Sequence, residues 1–542
     1  MLVDEDFPIS PARIAIVDRP AFLTWPHVER DGVLCLLTAN ASVSPSRPVD
    51  VVSVLLRDAV QLIERSIQKL NLDDFAAEFN TYWAYDSSPG MKPCLSLIDT
   101  LNPKSRPVAI WRGQNQYVVG DTESQVRLWM ANSYGPAPKG PFSVGVLTWV
   151  DQPPRPDHYP KKARDLLPFV KQAPAAVLEL INTRPQRIEL LIASGTVNGT
   201  VLAGVSAPTP KHKSVTGREH ATLNKGFRPG HVPPTLLLSR YFATETDVVR
   251  FEVQRCDHRW IHGRDRNDDS ERLRESKVVV VGCGSLGAPA ALQLAEAGVG
   301  SLALIDPDSL GWSNISRHVL GADAVGKNKA TAMCDWLRRS FPHLEFTTIP
   351  SNVQDALRKH LEIFEACDLV ISATGNWSAT VFLNRALDCL ERTPRTLFGW
   401  MERHASVGHC VSFLNEASGC IECGFNDTGV LNDAVTSWDH RELTQEPACG
   451  AQFDSYGASE ATYCSSMICE AAVDILTGRA TSSEHKFWVG PSSRIFRLGG
   501  AWTAYWLAHP EFRNSGGVMA SGTWPVGSEC ACQESHATTN TL

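Results

Sequence analysis

The segment that most restricts the fold is KVVVVGCGSLG, residues 277–287, which an alanine-rich stretch follows directly. Four consecutive valines are typical of a strand buried on both faces of a parallel sheet. Gly282, Gly284 and Gly287 then allow the chain to turn into a helix whose N-terminus can face a phosphate. A second apolar strand ends at Asp306, where an acid can hydrogen-bond a ribose hydroxyl. The sequence therefore predicts a doubly wound α/β nucleotide-binding domain.

Charged and polar residues past the second strand narrow the kind of nucleotide chemistry. Asp308, Asn314, Arg317 and Lys329 follow one another there. An NAD-dependent oxidoreductase shares the glycine pattern but has no need for this ordered set. Attack of a carboxylate on an α-phosphate does need it, because arginine and lysine stabilise the negative charge that develops.

On these motifs, residues 277–478 resemble the ThiF/MoeB/ubiquitin-activating superfamily. The resemblance implies that the glycine turn binds ATP and that Asp306 binds its ribose. It also implies that Asn314, Arg317 and Lys329 contact the triphosphate, with the last two stabilising charge during the reaction.

One position departs from the pattern of that family. Its members place an aspartate that helps hold Mg²⁺ just after the next strand, in a pattern like D-x-T-D-N. The corresponding strand here is DLVISATGN, and Gly375 stands at that position. Asp308 is the residue that we expect to share in binding Mg²⁺. The departure also keeps open a non-catalytic scaffold that has retained the fold.

Two pairs of closely spaced cysteines predict a metal site. Cys420 and Cys423 form a C-x-x-C pair, and Cys530 and Cys532 form a C-x-C pair near the end of the sequence. Four thiolates suit a structural tetrahedral Zn²⁺. We expect this zinc to hold the C-terminal tail against the adenylation domain. The alternative is two unrelated pairs of thiols.

A further cysteine precedes a predicted helix over residues 458–476. Cys449 lies in a loop bounded by proline and glycine. In the superfamily, a cysteine on the loop leading to this helix attacks the acyl-adenylate. The resemblance thus implies that Cys449 is the thioester nucleophile, against the alternative of a structural thiol. Cys464 and Cys469 fall inside the helix, where packing is the simpler explanation.

The N-terminal segment WPHVERDGVLCL, residues 25–36, resembles the active-site segment of ubiquitin-conjugating enzymes. A turn with a histidine leads there to a cysteine between leucines. By that resemblance Cys35 accepts the acyl group from Cys449, and His27 or a nearby acid assists the attack of an amine. The usual asparagine after the histidine is missing. A buried core cysteine is the alternative.

Further elements of this lobe follow from the local pattern. Residues 13–17 and 33–37 are predicted as strands, and residues 49–70 and 72–83 as helices. We expect an incomplete ubiquitin-conjugating-like lobe over 1–85, without its N-terminal helix and early strands. An α+β linker domain over 86–250 and the adenylation domain over 251–542 follow. This order resembles the bacterial ubiquitin-transfer fusions of CBASS antiphage operons.

That resemblance implies a partner and a reaction. The activated C-terminus is that of a cGAS/DncV-like nucleotidyltransferase, which becomes attached to a target amine in antiviral defence. Activating domains of this type usually pair, so a homodimer is expected. The main alternative is a ThiF/MoeB-type enzyme that adenylates a sulfur-carrier protein without conjugation.

Composition excludes several other classes of protein. The net charge is −8 over 542 residues, with no long basic run, so nucleic acid is not expected as a partner. The N-terminus MLVDEDFP lacks the features of a signal peptide, and no membrane-spanning helix is predicted. Fifteen cysteines without a secretory signal favour thiols and metal ligation over disulfides. A cytoplasmic protein is therefore expected.

Overall fold

The computed structural model describes most of the chain in two compact units. The residues outside this description are 38–43, 86, 88–91, 136–139, 184–186, 209–225, 229–230, 415–418, 427, 439–443, 446–451, 528–529, 531 and 533–542. The first unit comprises Met1–Leu128 and Ala137–Arg266, and the second comprises Trp129–Pro136 and Asn267–Leu542. Of the helices that the structure describes, none has both the length and the apolar character needed to cross a bilayer.

The first unit opens with an irregular segment packed on one long helix. Residues 13–17 and 33–37 make only single bridges, such as Ala15 with Val33, so the prediction of two strands is wrong. No neighbouring strand extends these bridges into a ladder among the described residues. The predicted helix over 49–70 is confirmed as α1, Pro48–Ile67. Its apolar face buries Leu55 and Ala59 against the irregular segment.

The predicted helix over 72–83 is interrupted. The structure has α2, Asp74–Ala77, and α3, Phe79–Tyr85, with Glu78 between them. Phe79 and Trp83 are fully buried, and the Trp83 indole donates a hydrogen bond of 3.0 Å to the carbonyl of Phe251. Burying these two large rings fixes α3 against the rest of the first unit.

A closed barrel forms the larger part of the first unit. Its strands follow the order β1-β3-β2-β4-β5-β6-β7, and a parallel pairing of β1 with β7 closes it. The strands are β1 Cys94–Ser96, β2 Arg106–Arg112, β3 Tyr117–Gly120, β4 Phe142–Trp149, β5 Arg187–Thr196, β6 Gly199–Pro208 and β7 Val249–Arg255. The helices are α4 Glu123–Tyr134, whose C-terminal end belongs to the second unit, α5 Leu167–Val170, α6 Pro174–Asn182, α7 Pro234–Phe242 and α8 His258–Gly263.

The second unit is built on an eight-stranded sheet of order β10-β9-β8-β11-β12-β13-β17-β19. The five strands from β10 to β12 are parallel, and the remaining strands pair antiparallel. The strands are β8 Lys277–Val281, β9 Ser301–Ile305, β10 Glu345–Ile349, β11 Leu369–Ser372, β12 Arg395–Met401, β13 Val407–Phe413, β17 His485–Val489 and β19 Val518–Gly522. This confirms the predicted doubly wound α/β fold.

The helices of the second unit cover its sheet or connect its strands. They are α9 Ser270–Glu275, α10 Gly287–Ala297, α11 Lys329–Ser340, α12 Val353–Lys359, α13 Leu361–Glu365, α14 Trp377–Asp388, α15 Ala458–Thr477, α16 Ser492–Arg497 and α17 Ala504–Ala508. Two small antiparallel pairs join β14 Thr436–Trp438 to β18 Gly500–Trp502, and β15 Thr444–Gln445 to β16 Gln452–Phe453.

The sheet order places a crevice beside the glycine turn. The chain passes from β8 outward through β9 and β10, then returns to the other side of β8 with β11. In such sheets, ligands bind outside the carboxyl ends of the strands where the order reverses. The predicted helix over 458–476 is confirmed as α15, with Cys464 and Cys469 buried in the core as expected.

Candidate functional site

The glycine turn after β8 is held by backbone contacts that only glycine allows. Gly282 has a φ of +93°, and its N–H donates to the carbonyl of Ile305 at 2.8 Å. A Cβ atom on Gly287 would lie 1.7 Å from the Gly282 oxygen, so this turn cannot form with a side chain there. A Cβ atom on Gly284 would meet nothing within 4 Å. Gly284 thus faces open space, which a phosphate could approach.

Asp306 is buried directly behind this turn. Its side chain is at the end of β9 and the residue is only 5% exposed. One carboxylate oxygen accepts the N–H of Cys283 at 2.7 Å, and the other accepts the N–H of Asp308 at 2.8 Å. The carboxylate therefore fixes the backbone of the turn and the beginning of the next segment.

Lys329 reaches the same end of the sheet because two loop segments pair. The backbone N–H of Lys329 donates to the carbonyl of Asp308 at 2.8 Å, and Ser309 bridges Asn328. The Lys329 ammonium donates to the Asp308 carboxylate at 2.9 Å, and its side chain is 12% exposed. This places one cation and two aspartates together at the first residue of α11.

The aromatic side chain of Tyr456 connects Arg317 to the glycine turn. Its guanidinium is 4.8 Å from the centre of the Tyr456 ring, and the Tyr456 hydroxyl is 2.8 Å from the hydroxyl of Ser285. Ser285 is inside the turn itself. Asn314 ends a short 3₁₀ helix, and its side-chain oxygen accepts the N–H of Gly311 at 2.9 Å.

The half-buried His318 also contacts the glycine turn. His318 Nε2 donates to the carbonyl of Cys283 at 2.8 Å, and its Nδ1 accepts the N–H of Leu320 at 3.0 Å. These partners require the neutral ring. Burial lowers the pKa of His318, which agrees with a neutral role.

An open cavity of about 420 Å³ adjoins the turn. Residues of the turn and of the ends of β11 and β12 line it, together with aromatic and small side chains. The lining residues include Gly284, Ser285, Gly375, Asn376, Trp377, Phe398, Trp400, Met401, Phe425 and Tyr456. None of the residues that line it carries a formal charge. The cavity therefore suits an uncharged, extended segment whose end approaches the glycine turn.

Gly375 has a φ of +62° and begins the turn into α14. The next residue, Asn376, caps that helix by accepting the N–H of Ala379 at 2.9 Å. The position lines the cavity but offers no carboxylate. Asp308 is exposed enough to take a ligand, with 66% of its side chain accessible, and already contacts Lys329.

The four predicted metal-binding cysteines come together in the second unit. The Sγ atoms of Cys420 and Cys423 are 3.9 Å apart. Cys530 lies 3.6 Å from Cys420, and Cys532 lies 3.6 Å from Cys423. All four atoms fall within 4.8 Å of one another. A tetrahedral zinc with bonds near 2.3 Å separates its sulfurs by about 3.8 Å, so the cluster fits that geometry.

Cys449 lies outside the described residues, but the segments on either side of it are described. Glu402 accepts the N–H groups of Val435 and Thr436 at 2.7 and 2.8 Å. The guanidinium of the neighbouring Arg403 contacts the Asp454 carboxylate at 3.2 Å. The turn after β12 thus holds the chain both before and after the stretch that contains Cys449.

Cys35 is exposed in the first unit. Its backbone N–H donates to the carbonyl of His27 at 2.9 Å. The His27 ring lies between two carboxylates, with Nε2 3.1 Å from Asp74 and Nδ1 3.5 Å from Glu78. Burial, followed by the charges of Glu78 and Glu29, raises the pKa of the Cys35 thiol. The structure therefore does not bury this cysteine in a core.

Several of these residues were not singled out in the sequence. Asp74, Glu78 and Tyr82 follow at intervals of four, a spacing that places side chains on one face of a helix. That signal was available in the sequence. Tyr456 meets Ser285 across 171 residues, and no local pattern could have paired them.

Two family models match parts of this chain. Residues 262–493 match the ThiF family, and residues 1–89 match the prokaryotic E2 family B. The chain is 25% identical over 423 residues to the ATP-dependent ubiquitin transferase-like protein Cap2 of Pseudomonas aeruginosa. This alignment covers 76% of this chain and 73% of Cap2.

Other similarities cover a smaller part of the chain. It is 43% identical over 106 residues to the adenylyltransferase and sulfurtransferase uba4 of Aspergillus terreus, 19% of this chain. The match spans about a fifth of that relative, 22% of its length. A crystal structure of Escherichia coli MccB with MccA-N7isoASN aligns with a TM-score of 0.35 at 17% identity, over 48% of this chain and 68% of MccB.

Proposed function

We propose that this chain, which joins a ThiF family domain to a prokaryotic E2 family B domain, activates the C-terminus of a partner protein with ATP and transfers it to an amine. The acyl group passes through thioesters on Cys449 and then Cys35. The observation that carries the proposal is the grouping of Lys329, Arg317 and the glycine turn at one end of the sheet.

The residues of the turn fit a triphosphate. Gly284 leaves open space at the N-terminus of α10, an eleven-residue helix whose amides favour an anion. When bound, ATP would supply the anhydride whose cleavage makes a carboxylate reactive toward a thiol. Lys329 and Arg317 hold positive charge where negative charge develops on phosphate oxygens. Asp306 orients the turn, and each of its oxygens, which already accepts one backbone N–H, keeps a lone pair that could accept a ribose hydroxyl.

The adjoining cavity is our candidate for the path of the partner's tail. Its lining has no charged side chain, and it leads to Gly284 from the ends of β11 and β12. A tail of small, uncharged residues would thread such a channel and leave its terminal carboxylate at the turn. The glycines along the lining allow close approach of a second backbone.

The thioester steps keep the carboxylate reactive until an amine arrives. The Cys449 thiolate would form a C–S bond with the activated carbonyl and release AMP. The Cys35 thiolate would then form a new C–S bond to the same carbon while the bond to Cys449 breaks. An amine would finally replace Cys35 and form an amide.

Two metal ions accompany this function in our proposal. Zn²⁺ would bind Cys420, Cys423, Cys530 and Cys532, and its role there is structural. Mg²⁺ would bind beside the phosphates, with Asp308 as the protein carboxylate closest to Lys329.

The partner that we propose is a cGAS/DncV-like nucleotidyltransferase, and the setting is antiviral defence in the bacterial cytoplasm. Two observations support this proposal. They are the order of the two matched domains in one chain and the similarity to Cap2 over 76% of this chain. We also propose a homodimer through the ThiF domain. Neither nucleic acid nor a membrane has a role in the proposed reaction.

The experiment uses the whole chain with a cGAS/DncV-like nucleotidyltransferase. ATP–pyrophosphate exchange should require that partner, and a covalent adduct that thiols reverse should form. Replacing Lys329 with Met should slow exchange by about 10² to 10³ fold, as loss of a charge-stabilising group does. Lys327→Met, an exposed neighbour, is the matched control.

The adducts separate the two thioester steps. Cys449→Ala should abolish every thioester, whereas Cys35→Ala should leave the one on Cys449 and prevent conjugation. If both variants retain every adduct, the proposed transfer of the acyl group through Cys449 and Cys35 is wrong.

A second candidate function is adenylation of a sulfur-carrier protein without conjugation. The 43% identity over 106 residues to an adenylyltransferase and sulfurtransferase favours it. In that case a sulfur-carrier protein ending in two glycines would support exchange, and Cys35→Ala would leave the reaction unchanged.

A further inference from the structure

The exposed Cys35 lies at one end of a chain of hydrogen bonds that leads to a carboxylate. Its N–H donates to the carbonyl of His27 at 2.9 Å, and the His27 N–H donates to the Tyr82 hydroxyl at 2.9 Å. That hydroxyl donates in turn to Glu78 Oε2 at 3.0 Å. His27 has a φ of +61°, so its backbone turns sharply between these partners.

The His27 ring lies between the carboxylates of Asp74 and Glu78. Nδ1 faces Glu78 Oε2 at 3.5 Å, and Nε2 faces Asp74 Oδ2 at 3.1 Å. Both ring nitrogens are therefore engaged. The Tyr82 hydroxyl and the His27 ring both approach Oε2 of Glu78. The Glu78 side chain is 43% exposed, so its carboxylate can meet an incoming group.

The charges around the thiol have one sign. Glu29 and Glu78 both act on Cys35 electrostatically, and the phenols of Tyr82 and Tyr85 lie within range of the same thiol. The nearby Arg30 is turned elsewhere, with its guanidinium 4.8 Å from the Phe22 ring centre and a hydrogen bond of 3.3 Å to the Tyr85 carbonyl. A negative rim attracts a cationic nucleophile and disfavours an anionic one.

We propose that Glu78 is a catalytic residue of the last step, in which it orients and deprotonates a lysine-type amine that attacks the thioester on Cys35. Tyr82 and His27 are positioning residues that hold its carboxylate. The inference rests on the proposed function of Cys35 as acyl acceptor. It names the final acceptor by class, a primary alkyl ammonium on a protein, and not a hydroxyl or a thiol.

The step balances without any further reagent. The ammonium gives one proton to the Glu78 carboxylate, and its nitrogen lone pair attacks the thioester carbon. The C–N bond forms as the C–S bond to Cys35 breaks. The second proton leaves the nitrogen for the departing thiolate, which burial and the two carboxylates make a strong proton acceptor. Glu78 then returns its proton to water.

The test separates loading of Cys35 from its discharge. The full chain is first loaded with its partner and ATP until the Cys35 thioester forms, and excess reagent is removed. Discharge is then timed with free lysine and, separately, with hydroxylamine, a small nucleophile that is already neutral at pH 7. Glu78→Gln keeps the size of the side chain but cannot accept the proton. Glu64→Gln, an exposed glutamate of α1 in the same lobe, is the matched control.

We expect Glu78→Gln to load Cys35 within about twofold of the parent chain and to discharge onto lysine about 10² fold more slowly. Discharge onto hydroxylamine should change little, because that nucleophile has no ammonium proton to lose. Tyr82→Phe, which removes only the hydroxyl that holds Glu78, should slow discharge onto lysine by about tenfold. Glu78→Asp should recover part of the rate.

Two failures are distinguishable. If the parent chain never forms a thioester on Cys35, the proposed function itself fails. If the thioester forms and Glu78→Gln discharges onto lysine as fast as the parent, the role of Glu78 is wrong. Equal slowing with lysine and hydroxylamine would also overturn it, because that result indicates a distorted site and not a lost proton acceptor.

Discussion

Asp306 and Cys283 are joined by a hydrogen bond of 2.7 Å between the buried carboxylate and the backbone N–H of the glycine turn. The other carboxylate oxygen holds the N–H of Asp308. One side chain thus fixes both the glycine turn and the segment that leads toward Lys329. The acid predicted to bind ribose is also a structural part of its own site.

Replacing Asp306 with Ala should therefore destabilise the second unit as well as weaken nucleotide binding. The change leaves the buried N–H of Cys283 without an acceptor, at about 1–3 kcal/mol, and also removes the acceptor of the part-buried Asp308 N–H. We expect the free energy of unfolding in urea to fall by about 2–4 kcal/mol. Asp323→Ala, an exposed carboxylate in the same region, is the control. A drop in ATP affinity with unchanged stability would contradict the structural role.

Two glycines of the turn should respond differently to the same substitution. Gly287→Ala places a methyl group 1.7 Å from the Gly282 oxygen, so the turn and the start of α10 must shift and stability must fall. Gly284→Ala meets no protein atom within 4 Å and should fold normally. Its methyl group would instead occupy the space proposed for phosphate. Thermal unfolding with and without ATP distinguishes the two, and stabilisation of Gly284→Ala by ATP equal to that of the parent would argue against a phosphate there.

Purified protein should contain about one zinc ion per chain, measured by elemental analysis. Cys423→Ser should lose most of it and lower the unfolding temperature, because the proposed metal would link Cys420 and Cys423 to Cys530 and Cys532. Cys389→Ser, which alters an exposed cysteine remote in sequence from both pairs, should keep the metal. A chain that is free of zinc yet unaffected by Cys423→Ser would rule out the metal site.

Stability should fall as the pH drops below 6.5, in part through one buried histidine. His485 is 3% exposed, and burial together with the charges of His409 and His509 lowers its pKa from 6.5 to about 2. Between these values the unfolded chain binds a proton that the native chain does not. The stabilising contribution is thus complete above pH 6.5 and declines by about 1.4 kcal/mol per pH unit below it.

His485→Gln removes this titration. The free energy of unfolding, measured from pH 7.5 to 5, should depend less steeply on pH in that variant by about one proton. His360→Gln, at a histidine whose side chain is 43% exposed, should keep the parent slope. Identical slopes in all three proteins would show that His485 does not titrate as its burial requires.

The local sequence determined the elements with a strong, contiguous pattern. The valine strand, its glycine turn and the alanine-rich helix follow from residues 277–298, and the helices at 48–67 and 458–477 follow from the spacing of apolar residues. Such elements depend on neighbours a few residues apart, so their signal is in the chain itself. The prediction of strands at 13–17 and 33–37 is wrong because a strand also needs a partner, which periodicity does not supply.

Only the tertiary structure decided which distant residues share a site. The four cysteines meet across about 110 residues, Tyr456 reaches Ser285 across 171, and the barrel closes by pairing β1 with β7. Which side chains surround Cys35 was equally undetermined, because α2 and α3 bring Asp74, Glu78 and Tyr82 to His27 from 47 to 55 residues away. The sequence itself carried the chemistry of each residue and the local turns. Long-range packing alone sets the distances at which those groups can act together, since no local pattern encodes which surfaces meet.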